Sequence, residues 1–325
     1  MIAARAMRDS FLEKIYQEMA VNKDIFFVSA DFGSPILDRI RAEFPERFLN
    51  VGIAEQNLIN ISAGLSLEGY LVFAYAIAPF ITMRCYEQIR VNLALLSEVR
   101  HMNVNLIGVG AGYSYVVSGP THQCYEDLTI MRALPNMTVY SPADHIAAAA
   151  LFAPCVMQKG IKYIRLDAQV LPSLYENINV ADGFYVHSIG NKVCLLATGY
   201  MVHTALTVAN KLKTLGIRTG VIDLFDITHF SREQLKKQLL NYKYLYTLEE
   251  GFKGRGGIDA MMFDFLSESN VSIKMHNFGV LGTYNFEIGS RKSLHEKVGI
   301  GFEYITNKIL TDINCNILET DPAFI

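Results

Sequence analysis

Apolar residues in this chain follow two patterns that take turns. Short, mostly apolar runs, DIFFVSAD, LVFAYAIA, NVNLIGVG, MTVY and IKYIRLDA, are rich in β-branched and aromatic side chains. Such runs predict strands covered on both faces, since a strand with one wet face alternates polar and apolar residues. Between them, apolar positions recur every third or fourth residue, the spacing of helices. These stretches run from about Ala3 to Met19 and from Glu55 to Leu67, and then through TMRCYEQIRVNLALLS, YEDLTIMRAL and HIAAAALFAPCVMQ. From Pro172 to Asn191 the periodicity fades, and this stretch reads as a linker. A second alternation follows: VCLLATGY, HTALTVANKLKTLG, TGVIDLFD, REQLKKQLLN, YLYTLEE, GRGGIDAMMFDFLSE, VSIKMHNFGV and a closing helix EKVGIGFEYITNKILTDI. Regular strand–helix alternation implies parallel sheets with helices on both faces. The expected fold is therefore α/β, with two doubly wound, mostly parallel-sheet domains over 1–171 and 192–325.

Composition narrows the setting. Hydrophobic residues make up 51% of the 325 residues and the mean hydropathy is +0.20, yet no apolar run is long enough to span a bilayer. The excess apolar surface is expected in buried sheets and a subunit interface. A net charge of -3 with no basic cluster argues against nucleic acid as a partner, and no membrane partner is expected. MIAARAMRDSFLEK lacks the apolar core of a secretory signal. The five cysteines are scattered, without C-x-x-C spacing, so neither a disulfide framework nor a metal site is expected, and a cytoplasmic location fits.

The residues with chemical promise sit where strands give way to helices. In FLNVGIAEQNLIN, Gly52 permits a tight turn and Glu55 opens a helix at the carboxyl edge of a strand, where open α/β sheets place their ligands. By itself Glu55 equally fits an acid that merely suits the helix dipole. His122 lies in the glycine-rich loop AGYSYVVSGPTHQ, as a turn cap or as a cleft residue. Phe80 follows Pro79 and fits a packing aromatic as well as a stacking one. Asp31 ends the first strand before the turn FGSP. Walker, G-x-G-x-x-G, G-x-S-x-G and H-E-x-x-H motifs are missing from the sequence, and Tyr200 and His203 have no nucleophile beside them.

Taken together, VSAD, VGIAEQN, F-x-x-x-R-x-Y-E-Q-I-R, SGPTHQxxEDLxxMRxxPNMTVYSPAD and CLLATGYMVHTAL, in this order, resemble the C-terminal half of a transketolase: its pyrimidine-binding domain followed by its C-terminal domain. The resemblance implies thiamine diphosphate as cofactor and a two-carbon ketol or acyl unit passed to a small-molecule carbonyl acceptor. It implies that Glu55 hydrogen-bonds the cofactor's aminopyrimidine, that Phe80 stacks on that ring, that His122 contacts the substrate, and that Asp31 lies near the cofactor. The family holds Mg²⁺ and the diphosphate on another domain with a GDG motif, which this sequence lacks. A separate diphosphate-binding N-terminal subunit is therefore expected as partner, in a two-plus-two heterotetramer.

The chain also departs from the sugar-phosphate pattern. Where transketolases usually carry a histidine and an aspartate in the His122 loop, it has Gly110 and Ser118. A phosphate-gripping arginine of the family falls at Ala168, with Arg165 a possible substitute, and Arg5 matches another phosphate-contacting position. Arg5, Ser118 and Arg165 are thus the substrate candidates, and the acceptor need not be a simple sugar phosphate. The beta subunit of a 2-oxo-acid dehydrogenase and a non-catalytic assembly subunit are the other readings of the same architecture.

Overall fold

A computed structural model describes residues 4–318. The five apolar runs of the first half become β1 (Ile25–Ser29), β3 (Leu71–Ile77), β4 (Asn103–Val109), β5 (Met137–Tyr140) and β6 (Gly160–Leu166), and the short, half-exposed β2 (Phe48–Asn50) comes from the segment before Gly52. They form one parallel sheet in the order β2-β1-β3-β4-β6-β5. Its helices are α1 (Met7–Val21), α2 (Pro35–Glu43), α3 (Glu55–Leu67), α4 (Tyr86–Gln88), α5 (Asp127–Arg132), α6 (His145–Ala150) and α7 (Phe152–Met157). Successive side chains of a strand point to opposite faces, and β3 shows the result. Val72, Ala74 and Ala76 pack in one cluster with Leu58 and Ile59 of α3, while Phe73 and Tyr75 pack in another with Phe11 and Ile15 of α1. The strand is apolar throughout because both clusters need it.

The second sheet contains β7 (Phe184–Ser188), β8 (Val193–Ala197), β9 (Thr219–Leu224), β10 (Tyr244–Phe252) and β11 (Lys274–Val280), in the order β11-β10-β8-β9-β7. It is parallel except for β7. Its helices are α8 (Met201–Thr214), α9 (Arg232–Leu239), α10 (Ile258–Glu268), α11 (Arg291–Lys297) and α12 (Phe302–Leu318). The α/β architecture with two mostly parallel sheets is as expected. No helix among the described residues is long and apolar enough to cross a membrane.

Local departures have local causes. The linker expected over 172–191 contains β7, an antiparallel edge strand whose burial fades from Phe184 to Ser188. A strand paired on one side only has little apolar signature. The helix expected from about Ala3 is described only from Met7, and Ala3 itself lies outside the described residues. HIAAAALFAPCVMQ breaks at Leu151 into α6 and α7, where Pro154 has no N–H to give to the preceding turn. The closing helix likewise begins only at Phe302, after Gly299 (φ +79°) turns the chain out of α11. The TMRCYEQIR stretch is widened into π-helical turns at Phe80–Arg84 and Ile89–Leu95 on either side of α4.

A buried ionic cluster joins the two halves. Arg291 donates from Nε and Nη2 to Glu250 of β10 at 2.8 and 2.6 Å, and its Nη1 is 2.6 Å from Asp167, just after β6. His295 Nε2 also lies 2.6 Å from Glu250. Burial alone would raise the Glu250 carboxyl, but Arg291 and His295 outweigh it and hold the group well below the usual range. A Cβ on Gly112 would run into that carboxylate, so the loop after β4 can cross here only as glycine.

Glu249, its chain neighbour, is differently placed. Its Oε1 accepts the Asp259 N–H at 3.2 Å, its Oε2 has no hydrogen-bond partner among the described residues, and burial, aided by the Asp259 charge, pushes the group up to about 7. A raised carboxyl contributes stability that is full below its unfolded value of about 4.3 and is lost as pH rises toward 7. Glu249→Gln is expected to abolish this loss and to make the chain about 1–3 kcal/mol more stable than the parent at pH 8 but not at pH 4.5. Urea unfolding at the two pH values measures it, and an equal effect at both refutes it.

Candidate active site

The chain leaves β1, adds β2 on one side, then returns to add β3 on the other. Open α/β sheets bind ligands at such a reversal, beyond the carboxyl ends of the strands. Asp31, Glu55 and Phe80 gather there, and His122 joins them through Phe80. Asp31 lies just past β1 with φ +50°, a left-handed conformation uncommon for aspartate. The Asn50 side chain holds it, accepting the N–H groups of Asp31 and Gly52 at 3.1 and 2.9 Å and donating to Asp31 Oδ1 at 3.1 Å. Gly52 (φ +75°) then turns the chain into α3, whose first residue is Glu55.

The Glu55 carboxylate is only 2% exposed, and Arg84 Nη1 donates to both of its oxygens, at 2.9 and 2.8 Å. The Arg84 guanidinium lies over the Phe80 ring, 4.4 Å from its centroid. His122 meets the edge of Phe80 with 5.4 Å between centroids, and Thr121 Oγ1 is 3.0 Å from its Nδ1. Glu55, Arg84, Phe80 and His122 are thus one continuous row of contacts. Thr82 Oγ1 donates to Ala78 O at 2.7 Å within the turn that carries Phe80, and helps hold it.

Two residues absent from the sequence-based set belong to this row. Arg84 is one. The other is Tyr115, whose ring faces His122 at 6.2 Å and fills the space that a side chain at Gly110 (φ +104°) would need. Burial raises the Tyr115 hydroxyl to about 12, against the opposing charge of Arg8, so it is a neutral phenol. The replacement of a family histidine by Gly110 was the one trace of it in the sequence.

The substrate candidates are scattered. Ser118 is exposed on the His122 loop, where its N–H donates to Tyr115 O at 3.3 Å. Arg5 is exposed at the start of the described chain, 3.5 Å from Glu13. Arg165 requires correction as a substrate residue. Its side chain is 2% exposed, and its Nε donates to Asp127 at 2.7 Å, beside the Tyr163 hydroxyl that bonds the same oxygen at 2.8 Å. A buried carboxylate needs that cation, and the pairing turns Arg165 inward.

Residues 3–173 match the family described as transketolase, pyrimidine binding domain, and residues 184–305 match the transketolase C-terminal domain. The chain belongs to the transketolase family. It is 30% identical to an apulose-4-phosphate transketolase subunit of Actinobacillus succinogenes, over 83% of this chain and 86% of that one. It is 28% identical to a 6-deoxy-6-sulfo-D-fructose transketolase subunit of a Clostridium species, over 90% of each. Among solved structures, a split-gene transketolase described as an inactive beta4 tetramer superposes with a TM-score of 0.83 at 29% identity, over 95% of this chain and 98% of the other. The transketolase of Campylobacter jejuni, 22% identical, shares the fold with a TM-score of 0.78, and this chain covers 47% of it. Membership makes this chain a thiamine-diphosphate-dependent transferase of the transketolase type; the two relatives named above are called subunits, and the solved neighbour a split-gene transketolase. The corner formed by Glu55 and Phe80 fits the pyrimidine part of that cofactor: it already accepts a flat, N–H-bearing group that lies across Phe80 and donates to Glu55.

Asn50→Ala removes three hydrogen bonds from the turn that holds Asp31. A stability loss of about 1–2 kcal/mol is expected, read by urea unfolding. No measurable loss means that the left-handed turn stands without Asn50.

Proposed function

We propose that this chain is the C-terminal subunit of a split transketolase that transfers a two-carbon ketol or acyl unit to a carbonyl acceptor other than an ordinary sugar phosphate. The observation that carries the reading is the gathering of Glu55, Phe80 and His122 in one row, joined through Arg84, at the sheet's reversal. When bound, thiamine diphosphate supplies a nucleophilic carbon that breaks and forms carbon–carbon bonds beside a carbonyl. Glu55 holds a proton at the pyrimidine ring, Phe80 keeps that ring in register, and His122 donates to the substrate oxygens. Asp31 borders the cofactor. Mg²⁺ and the diphosphate are held mainly by a separate N-terminal subunit, in a two-plus-two assembly working in the cytoplasm.

The acceptor follows from what surrounds His122. Gly110 and Ser118 carry no imidazole or carboxylate, Ala168 no guanidinium, and Arg165 is committed to Asp127. Arg5 remains as a cation for an anionic group. The relatives named for apulose-4-phosphate and 6-deoxy-6-sulfo-D-fructose support unusual sugars as substrates.

Glu55→Gln keeps the hydrogen bond but not the transferable proton. In the assembled enzyme, deuterium exchange at the reactive carbon of bound thiamine diphosphate is expected to slow about 10²–10⁴-fold. Unchanged exchange removes Glu55 from the reaction. Steady-state kinetics test the acceptor: kcat/KM for ribose- or erythrose-phosphate is expected to fall about tenfold or more below that for an acceptor without a terminal phosphate, because buried charges are bound poorly without paired donors. A preference for the simple sugar phosphates rejects the proposal.

A further inference from the structure

Arg84 competes for the same two surfaces that the cofactor needs. Its guanidinium covers the Phe80 face at 4.4 Å and its Nη1 binds both oxygens of Glu55. Cation–π contacts extend to about 6 Å from a ring centroid, so at this distance the guanidinium occupies the layer next to the ring and leaves no room for a second plane. An aminopyrimidine ring is also flat, also carries N–H donors, and must stack on the same face while bonding the same carboxylate.

We propose that Arg84 is an internal occupant of the pyrimidine site, which neutralises Glu55 and covers Phe80 in the cofactor-free chain and must swing out when thiamine diphosphate binds. This rests on the reading of Glu55 and Phe80 as the pyrimidine site. Both halves of the exchange have a physical basis. A carboxylate that is 2% exposed is costly without a partner, so Glu55 needs a cation whenever no cofactor donor bonds it. The Arg84 side chain is 45% exposed, so its head returns to water without crossing the core. Because the site is closed for part of the time, the apparent cofactor affinity is lower than that of the open site alone.

The test uses the full chain assembled with its diphosphate-binding partner, titrated calorimetrically with thiamine diphosphate and Mg²⁺. Arg84→Met keeps an unbranched apolar stem and removes the charged plane. It is expected to bind the cofactor about tenfold more tightly, while its cofactor-free thermal midpoint falls. Arg84→Lys keeps the charge without the plane and is expected to lie between the two, which preserves the test if the methionine variant does not fold. Affinity that is unchanged or weaker in the folded variants overturns the proposal. So does a cofactor-bound crystal structure in which Arg84 Nη1 remains within hydrogen-bond distance of Glu55. Failure of parent and variants alike to bind thiamine diphosphate instead defeats the reading of the site itself, and the proposal with it.

Discussion

A carboxylate withdrawn from water at the edge of a sheet needs a donor in return, and much of this molecule is arranged around that requirement at Glu55. Asn50 and the two left-handed residues Asp31 and Gly52 deliver the chain to α3 so that its first side chain points inward. The π-helical turn after β3 brings Phe80 and Arg84 to the same place from the other side of the strand reversal. Neither arm makes a site alone. The reversal puts them side by side, because β2 and β3 flank β1.

The second half of the chain takes part through the loop that carries His122. The Tyr113 N–H reaches Glu250 Oε1 at 3.4 Å, Gly112 presses on the same carboxylate, and the Tyr284 hydroxyl donates to Glu126 at 2.8 Å where the loop ends. The Glu250–Arg291–Asp167 cluster that joins the sheets therefore also tethers this loop. Removing one partner from such a cluster leaves a buried charge behind, so the position of His122 depends on residues far from it in the sequence. This gives the C-terminal domain a physical part in the site without requiring that it touch substrate.

On the proposed reading, selectivity has a similar origin. Gly110 is more than a missing histidine, because Tyr115 fills the space and presents a neutral phenol to the same neighbourhood. Likewise Arg165 is turned inward, its Nε held by Asp127 and its side chain only 2% exposed. The character of this corner is set by which charges the fold satisfies internally as much as by those it leaves free.

The sequence by itself determined most of the sheet strands, since an apolar run needs no partner to be recognised. The order of its motifs pointed to the family, and the resemblance singled out Glu55, Phe80 and His122 as the residues proposed to serve its cofactor and substrate. Edge strand β7 escaped notice because a half-paired strand has a weak pattern. Arg84, Tyr115 and the inward turn of Arg165 were decided only by the tertiary structure. Each depends on a contact between residues distant in the chain, 29 positions apart for Arg84 and Glu55 and 38 for Arg165 and Asp127. A charged side chain carries no mark of which buried partner will claim it; that is settled when the strands pack and the water leaves.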